Sequence, residues 1–461
     1  MLTKEFLENV CNQIKYKPIR EDISEELSLH IQEHKEEYIK EGLGERIAEE
    51  KAVSNMGEAD EIGKKLNKIH KPKFNWMLFL LVAILIGFGF LITSIKVQRD
   101  DGIYYLKHHI VYFILGVIVS VGIYFFDYRK ILNHPKIVYA FSTSLLIIAI
   151  LCGKTYVGGR LYLSFGGVIC DPTNLCILLY IIAFVGFIKE LNKKSIDINI
   201  QNFNFKFRID ICELVILSVV SIFLLIFMNR IAITTVLILS YIIITTAYIV
   251  KLPNKKNNLI KLYGILVTFA IIFIGYSIIT QNGIYSRIQR GMIATYNFES
   301  DSHGNGWIGY QINNVLENSH LFSGLDNMES YVGLFDGGTN HALITIIAYC
   351  GSFYSAIVIG VVILFAIKLI IDSKKIKDES GKLLIVGFGS FILLQSFFYF
   401  FMNFNLIPII DLNLPFVSYG GSGFLISMAM VSFILSIYRR KDILTKKGEE
   451  SKKIKFKISF E

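Results

Sequence analysis

The sequence predicts an all-α, polytopic membrane protein: about ten transmembrane helices behind a small N-terminal cytoplasmic helical domain. Three observations carry this. Beyond Phe74 the chain is a series of apolar runs, each near the ~20 residues that cross a bilayer. The loops between the runs alternate between strongly basic and cation-poor. The first 73 residues are densely charged, with apolar residues at helical spacing.

Composition agrees. Of 461 residues 53% are hydrophobic, and the mean hydropathy is +0.51. Soluble domains carry more charge and fewer long apolar runs. The net charge of +9 does not imply nucleic-acid binding, because Lys and Arg gather in loops and at the C-terminus, as inner-membrane topology requires. The first apolar run comes only after Phe74, so no cleavable signal peptide is expected. The six cysteines show no CxxC and no Cys/His metal spacing. Cys152, Cys170 and Cys176 fall near one membrane face, where a disulfide is an option; the plainer reading is three small apolar residues.

Residues 1–73 form the first domain. Phe6, Val10 and Ile14, then Ile23, Leu27 and Ile31, then Ile62, Leu66 and Ile69 recur at helical spacing, and Gly42, Gly44 and Gly57 punctuate them as helix ends. Four short helices fit. The run from Glu25 to His70, with Asn55-Met56-Gly57-Glu58-Ala59, resembles the helical prefix domains ahead of bacterial permeases. That resemblance implies a docking module; a passive stabilising bundle is the plainer reading. His30, His34 and His70 lie among acids, which reads as solvated histidines rather than metal ligands.

The membrane domain is expected over 74–440, with a basic cytoplasmic tail over 441–461. Its apolar segments run Trp76–Ile95, His109–Phe126, Lys136–Gly153, Asn174–Lys189, Cys212–Met228, Ile231–Val250, Ile260–Thr280, Ala342–Ile371, Leu383–Phe404 and Gly420–Tyr438. The basic loops are Arg129 to Lys136, Lys189 to Arg208, Lys251 to Lys261 and Lys374 to Lys382, and the tail from Arg439 is basic too. The positive-inside rule then puts both termini in the cytoplasm. The large loop 281–340 is external, and loops of that length are usually functional.

The stretch Leu414-Pro-Phe-Val-Ser-Tyr-Gly-Gly-Ser-Gly423 breaks the pattern where the last span begins. Small residues let backbones approach closely, and free backbone groups at membrane depth survive only where protein or water satisfies them. As chemistry, the stretch fits a tight packed loop or a polar cavity lining equally well. As a motif it resembles the signature of the SEDS family, the FtsW/RodA/SpoVE proteins of bacterial shape, division and sporulation. Gln395 and the spacing from Pro408 to Pro415 agree, while Asp411 and Asn413 stand where the family has a glycine and a proline.

The resemblance implies polymerisation of lipid II, an undecaprenyl-pyrophosphate-linked disaccharide-peptide. A sugar hydroxyl attacks the anomeric carbon of the growing chain and lipid pyrophosphate leaves. Such chemistry wants a carboxylate base near the hydroxyl and cations near the pyrophosphate. The matching positions are Arg160, Arg287, Tyr310 with Gln311, Thr339, and Ser418 to Ser422 (Ser418, Tyr419, Gly420, Gly421, Ser422), read as substrate-binding, and Gly324 falls on one of the family's glycines. The family's catalytic aspartate position reads Asn340, and asparagine cannot take a proton at neutral pH. Of the loop's acids (Glu299, Asp301, Glu317, Asp326, Glu329 and Asp336), Asp336 is best placed as a substitute base.

Other departures accompany this one. The family's second arginine is Leu161. Asp171-Pro-Thr-Asn-Leu-Cys-Ile177 falls on Gln-Pro-Ser-Glu-Leu-x-Lys, so the glutamate is Asn174 and the lysine Ile177. Met228-Asn229-Arg230 replaces Gln-Pro-Asp, and Ala348 with Tyr349 replaces a glutamate pair. The charges that mark an intramembrane site therefore read as largely missing.

Three functions remain open on sequence. The first is a divergent peptidoglycan glycosyltransferase with Arg160 at the pyrophosphate. The second is a non-catalytic homologue regulating envelope synthesis through precursor or a class B penicillin-binding protein transpeptidase. The third is a transporter of lipid-linked precursor. The expected partners are lipid II or another undecaprenyl-linked precursor, such a transpeptidase, and membrane lipid; the expected location is the bacterial cytoplasmic membrane. No cofactor is called for, and a divalent cation enters only if the protein is catalytic.

Overall fold

The computed structural model describes residues 2–69, 71–96, 102–156, 160–165, 168–196, 203–251, 291–292, 295–301, 306–326, 340–408 and 411–441, with isolated positions 256, 260, 263–264 and 304. Outside them lie the seventh expected span, Arg287, Asp336, Thr339, His70 and most of the basic tail. Two compact units are present: Met1–Asn75 with Lys375–Asp378 and Ile437–Glu461, and Trp76–Lys374 with Glu379–Ser436.

In the first unit, α1 (Leu2–Gln13), α2 (Arg20–Lys40), α3 (Glu45–Met56) and α4 (Ala59–Ile69) follow in order. Gly57 ends α3 at φ +89°, a conformation that costs other residues a Cβ clash. Phe6, Val10, Ile14, Ile19, Ile23, Ile31 and Ala52 make the core, with Leu27, Ile62 and Leu66 against it. These are the apolar positions of the helical spacing, except Ile69, which is exposed. His30 and His34 are exposed as well, each beside a glutamate one turn on, Glu33 and Glu37.

The second unit is polytopic and helical. Its helices are α5 (Trp76–Lys96), α6 (Gly102–Phe125), α7 (Tyr128–Leu132), α8 (Pro135–Cys152), α9 (Pro172–Ile196), α10 (Phe203–Phe227), α11 (Ile231–Ile249), α12 (Trp307–Asn318), α13 (Ala342–Cys350), α14 (Ser352–Lys375), α15 (Glu379–Asn403) and α16 (Gly421–Arg439). Among the described residues eight are long and apolar enough to cross a membrane, and a shorter apolar stretch runs Leu214–Phe227 within α10. These correspond to nine of the ten expected segments. Cys152 and Cys176 are free thiols, and Cys176 Sγ donates to the Ser142 carbonyl at 3.4 Å.

Three local features were not read from the sequence. The loop between α8 and α9 carries a three-stranded antiparallel sheet, β1 (Lys154–Tyr156), β2 (Arg160–Phe165) and β3 (Val168–Cys170). The large loop carries α12. Its Ile312 and Val315 pack on Ile344, Ile347 and Ala348 of α13.

The third corrects an expectation: the eighth segment, Ala342–Ile371, is two helices broken at Gly351 (φ +102°). A Cβ there would stand 2.7 Å from the Leu321 carbonyl oxygen. Residues 320–325 complete the break. The Ser352 and Phe353 amides donate to the His320 and Leu321 carbonyls at 3.1 and 3.0 Å, and the Leu325 amide donates to the Ala348 carbonyl at 2.8 Å. Backbone groups freed by the break thus find protein partners, as a low-dielectric setting demands.

Candidate functional site

Four segment ends meet at one charged cluster. Asp171 stands just before α9, where Pro172 opens the helix and Asp171 Oδ1 accepts the Thr173 amide at 3.0 Å. Arg230 caps the turn from α10 into α11. Asn229 takes φ +60° there, which returns the chain so that the Arg230 amide donates to the Leu225 carbonyl at 3.1 Å. Asn340 lies two residues before α13. Asp411 comes from the segment that precedes the Leu414–Gly423 motif.

Arg230 Nη2 donates to Asp171 Oδ2 at 2.7 Å, and Nη1 donates to Asp411 Oδ2 at 3.3 Å. The guanidinium also lies over the Tyr162 ring of β2, 4.9 Å from its centroid. Asn340 Nδ2 donates to Asp411 Oδ1 at 3.2 Å. Asn403 Nδ2 then donates to the carbonyls of Asn340 (3.2 Å) and Tyr399 (2.9 Å). The Leu343 amide donates to the Tyr399 hydroxyl at 3.2 Å, which fixes the start of α13. Next to it His341 is half-buried, with Nδ1 shut off from solvent; burial lowers its imidazole pKa to about 4, against the opposing pull of Asn403.

The side chain of Arg230 is only 8% exposed. Removing one partner from a buried ion pair typically costs about 3–5 kcal/mol, so the three charges hold each other in place. The two carboxylates share this one guanidinium. Both carboxylates face the guanidinium, an arrangement that answers to Arg230 and not to a divalent cation. Among the described residues no group of three or more His, Cys, Asp or Glu is placed to hold a metal.

The signature motif works mostly as packing. Ser418 is buried, and its hydroxyl accepts the Leu414 amide at 2.8 Å, closing a tight turn in which Phe416 sits at φ +68°. Gln395 donates to the carbonyl and side-chain oxygens of Asn413. Gly423 lets that asparagine in, since a Cβ there would stand on its amide nitrogen. Gly421 faces the Tyr112 ring, where a Cβ would meet the Cζ at 2.5 Å, whereas nothing lies within 4 Å of a Cβ at Gly420. Tyr419 packs edge-on to Tyr105 and stacks toward His109. Ser422 accepts a long hydrogen bond from Asn174 at 3.5 Å.

The other expected site residues are dispersed. Arg160 opens β2, opposite Tyr156. Tyr310 and Gln311 lie on α12, with Tyr310 exposed and the Gly309 carbonyl accepting Asn405 Nδ2 at 2.8 Å. Gly324 has a packing role: a Cβ would stand on the Ala348 carbonyl oxygen.

A family model for cell cycle proteins of the FtsW, RodA and SpoVE type matches residues 73–443. The chain belongs to this family. The matched range covers all the membrane helices and the charged cluster. Among its relatives are proteins named probable peptidoglycan glycosyltransferase FtsW. That of Enterococcus hirae is 30% identical over 146 residues, 31% of this chain and 36% of the relative. That of Bacillus subtilis is 29% identical over 139 residues, 28% and 34% respectively. The chain thus spans about a third of the length of the curated relatives it matches.

The fold agrees with the family. A chain solved in a study of how a peptidoglycan synthase complex coordinates polymerization and crosslinking superposes with TM-score 0.62 at 18% identity, covering 80% of this chain and 98% of that one. The rod shape determining protein RodA of Thermus thermophilus gives 0.53 at 16%, covering 80% and 97%.

Within this SEDS fold the site is not emptied of charge, as the lost family residues suggested. It is recharged. Asp171, Arg230 and Asp411 stand where the resemblance has a glutamine, an aspartate and a glycine, and they find one another. The signal was present in the sequence as two gained acids and one gained base, but pairing them needed the fold.

Proposed function

We propose that the protein is a peptidoglycan glycosyltransferase of the SEDS type, acting at the outer face of the bacterial cytoplasmic membrane on lipid II. The carrying observation is the Asn340–Asp411 contact: a carboxylate stands within hydrogen-bond reach of the residue that replaces the family's aspartate. Both termini then face the cytoplasm, which the basic bias of alternate loops supports. The first helical unit is a cytoplasmic docking module, and a class B transpeptidase is the partner that would crosslink the product.

Sequence residues divide by placement. Arg160, on β2 two residues before the Tyr162 ring over which Arg230 lies, is the cation for pyrophosphate. Tyr310 and Gln311 on α12 are carbohydrate contacts. Ser418 to Ser422 act by holding the segment that bears Asp411.

A second reading, a homologue that holds precursor or partner without polymerising it, is favoured by the amide at Asn340. Incubation of the purified protein with lipid II, with glycan strands resolved on a gel, separates the two. Strands of many disaccharides are expected. Their absence under conditions where an FtsW relative makes them favours the second reading.

A further inference from the structure

We propose that the segment after α12 is a lipid seat: Leu321 and Phe322, together with Phe353 and Tyr354 of α14, rest on the acyl chains at the outer edge of the bilayer. The choice of leaflet rests on the topology given under the proposed function.

Residues 320–325 are held by backbone, yet they turn apolar bulk outward. The Ser352 and Phe353 amides donate to the His320 and Leu321 carbonyls, and the Leu325 amide donates to that of Ala348. Leu321 is nevertheless 57% exposed and Phe322 66%. The Phe322 ring lies 5.0 Å from that of Phe353, which stands edge-on to Tyr354 at 5.9 Å. Pinned backbone that presents large apolar side chains marks a contact surface, because water penalises that area.

The helix α14 identifies what covers it. Phe353, Ile357, Leu364, Ile367 and Ile371 are exposed along one face, and nothing lies within 4 Å of a Cβ at Gly360 between them. They form a stripe down a helix long and apolar enough to cross a membrane. Exposed Lys374 ends the stripe on its basic side. A hydrocarbon layer about 30 Å thick takes about 20 residues of helix, and about 20 residues before Lys374 stands Tyr354. Phe353 and Tyr354 thus lie where hydrocarbon gives way to headgroups, the level at which aromatic side chains collect. Phe322 packs on Phe353, so the lipid-facing stripe runs on into the loop segment. Exposed His320 and Asp326, 3.1 Å apart, close the segment on its polar side.

The seat fixes a height. It sets α12, with Tyr310 and Gln311, and α13, through the Leu325–Ala348 bond, against the headgroup level. On the glycosyltransferase reading above, substrate is met at that level. A polyprenyl chain lies in the hydrocarbon and its pyrophosphate at the surface.

The test is tryptophan fluorescence of the full-length protein in liposomes. Phe322→Trp is made together with Trp76→Phe and Trp307→Phe, and the lipids carry bromine near either the headgroup end or the methyl end of the acyl chain. Leu364→Trp in the same background, about 16 Å further along α14, is the deep reference. Phe322→Trp should emit to the blue of a water-exposed tryptophan, resist iodide, and lose most of its intensity to the shallow bromines and less to the deep ones. Leu364→Trp should show the opposite depth order. If the background misfolds, the difference between Phe322→Trp and the unsubstituted protein reads the same residue.

Red emission open to iodide puts the segment in water and overturns the seat. Blue emission that neither lipid quenches puts it under protein, a second copy or another chain, and overturns it equally. Bromines occupy both leaflets, so quenching reads lipid contact whichever way the chain is threaded and whether or not it polymerises lipid II. Failure of the seat is thereby told apart from failure of the topology or of the glycosyltransferase reading.

Discussion

Two glycines in α5, separated by a single residue, give a quantitative test of how the signature motif is seated. Gly89 is buried, and a Cβ there would lie 2.8 Å from the Phe416 carbonyl oxygen and 3.1 Å from that of Val417. Gly87 is exposed, with nothing within 4 Å of a Cβ. Alanine raises helix propensity by about 1 kcal/mol at either position. At Gly89 it also overpacks against backbone, which cannot rotate away as a side chain can, at about 1–3 kcal/mol. Gly87→Ala is therefore expected to stabilise by about 1 kcal/mol. Gly89→Ala is expected to fall about 1–3 kcal/mol below it, several degrees in melting temperature. The assay is thermal unfolding of both full-length variants in the same detergent, followed by intrinsic fluorescence and size exclusion. A Gly89→Ala protein as stable as Gly87→Ala would refute the close approach of the Leu414–Ser418 turn to α5.

Two further outcomes follow from the same geometry. The folded state keeps His341 neutral down to about pH 4 while the unfolded chain protonates near its ordinary value, so stability is complete above about pH 6.5 and falls as pH drops toward 4. His341→Gln should flatten that slope in melting temperature against pH, and an unchanged slope would show that other groups carry it. A cysteine placed at Tyr310, on α12, should label from outside intact cells, while one placed at exposed Leu29 should not; the reverse pattern would overturn the topology and every external-site assignment with it.

The membrane helices were legible because a span announces itself by continuous apolarity, and no tertiary partner is needed to read it. The helical unit was legible for a related reason: Phe6, Val10, Ile14 and Ile23 bury where 3.6-residue spacing puts them. What hydropathy hides is a break between two apolar stretches. Gly351 leaves Ala342–Ile371 looking like one span, and only φ and the carbonyls of His320 and Leu321 show two helices. The sheet at 154–170 escaped because its outer strands are three residues long, below the length at which alternation is visible.

The site was half legible. Its altered positions were all visible as departures, but sequence comparison counts losses. The ion pair between Arg230 and Asp411 joins residues 181 apart, and nothing local relates them. The motif gave a different lesson. Its glycines read as one unit, yet Gly421 and Gly423 are required by neighbours and Gly420 is not crowded.

The break at Gly351 uncouples two kinds of positioning. A continuous helix from Ala342 to Lys375 would act as a lever: each ångström of bilayer thinning or thickening that tilts the span would sweep its outer end, and Asn340 with it. At Gly351 that lever is cut, and α13 is held instead by α12, by the 320–325 backbone and by the Tyr399–Asn403 face of α15. The Asn340–Asp411 contact thereby becomes a fixed point in a membrane of variable thickness.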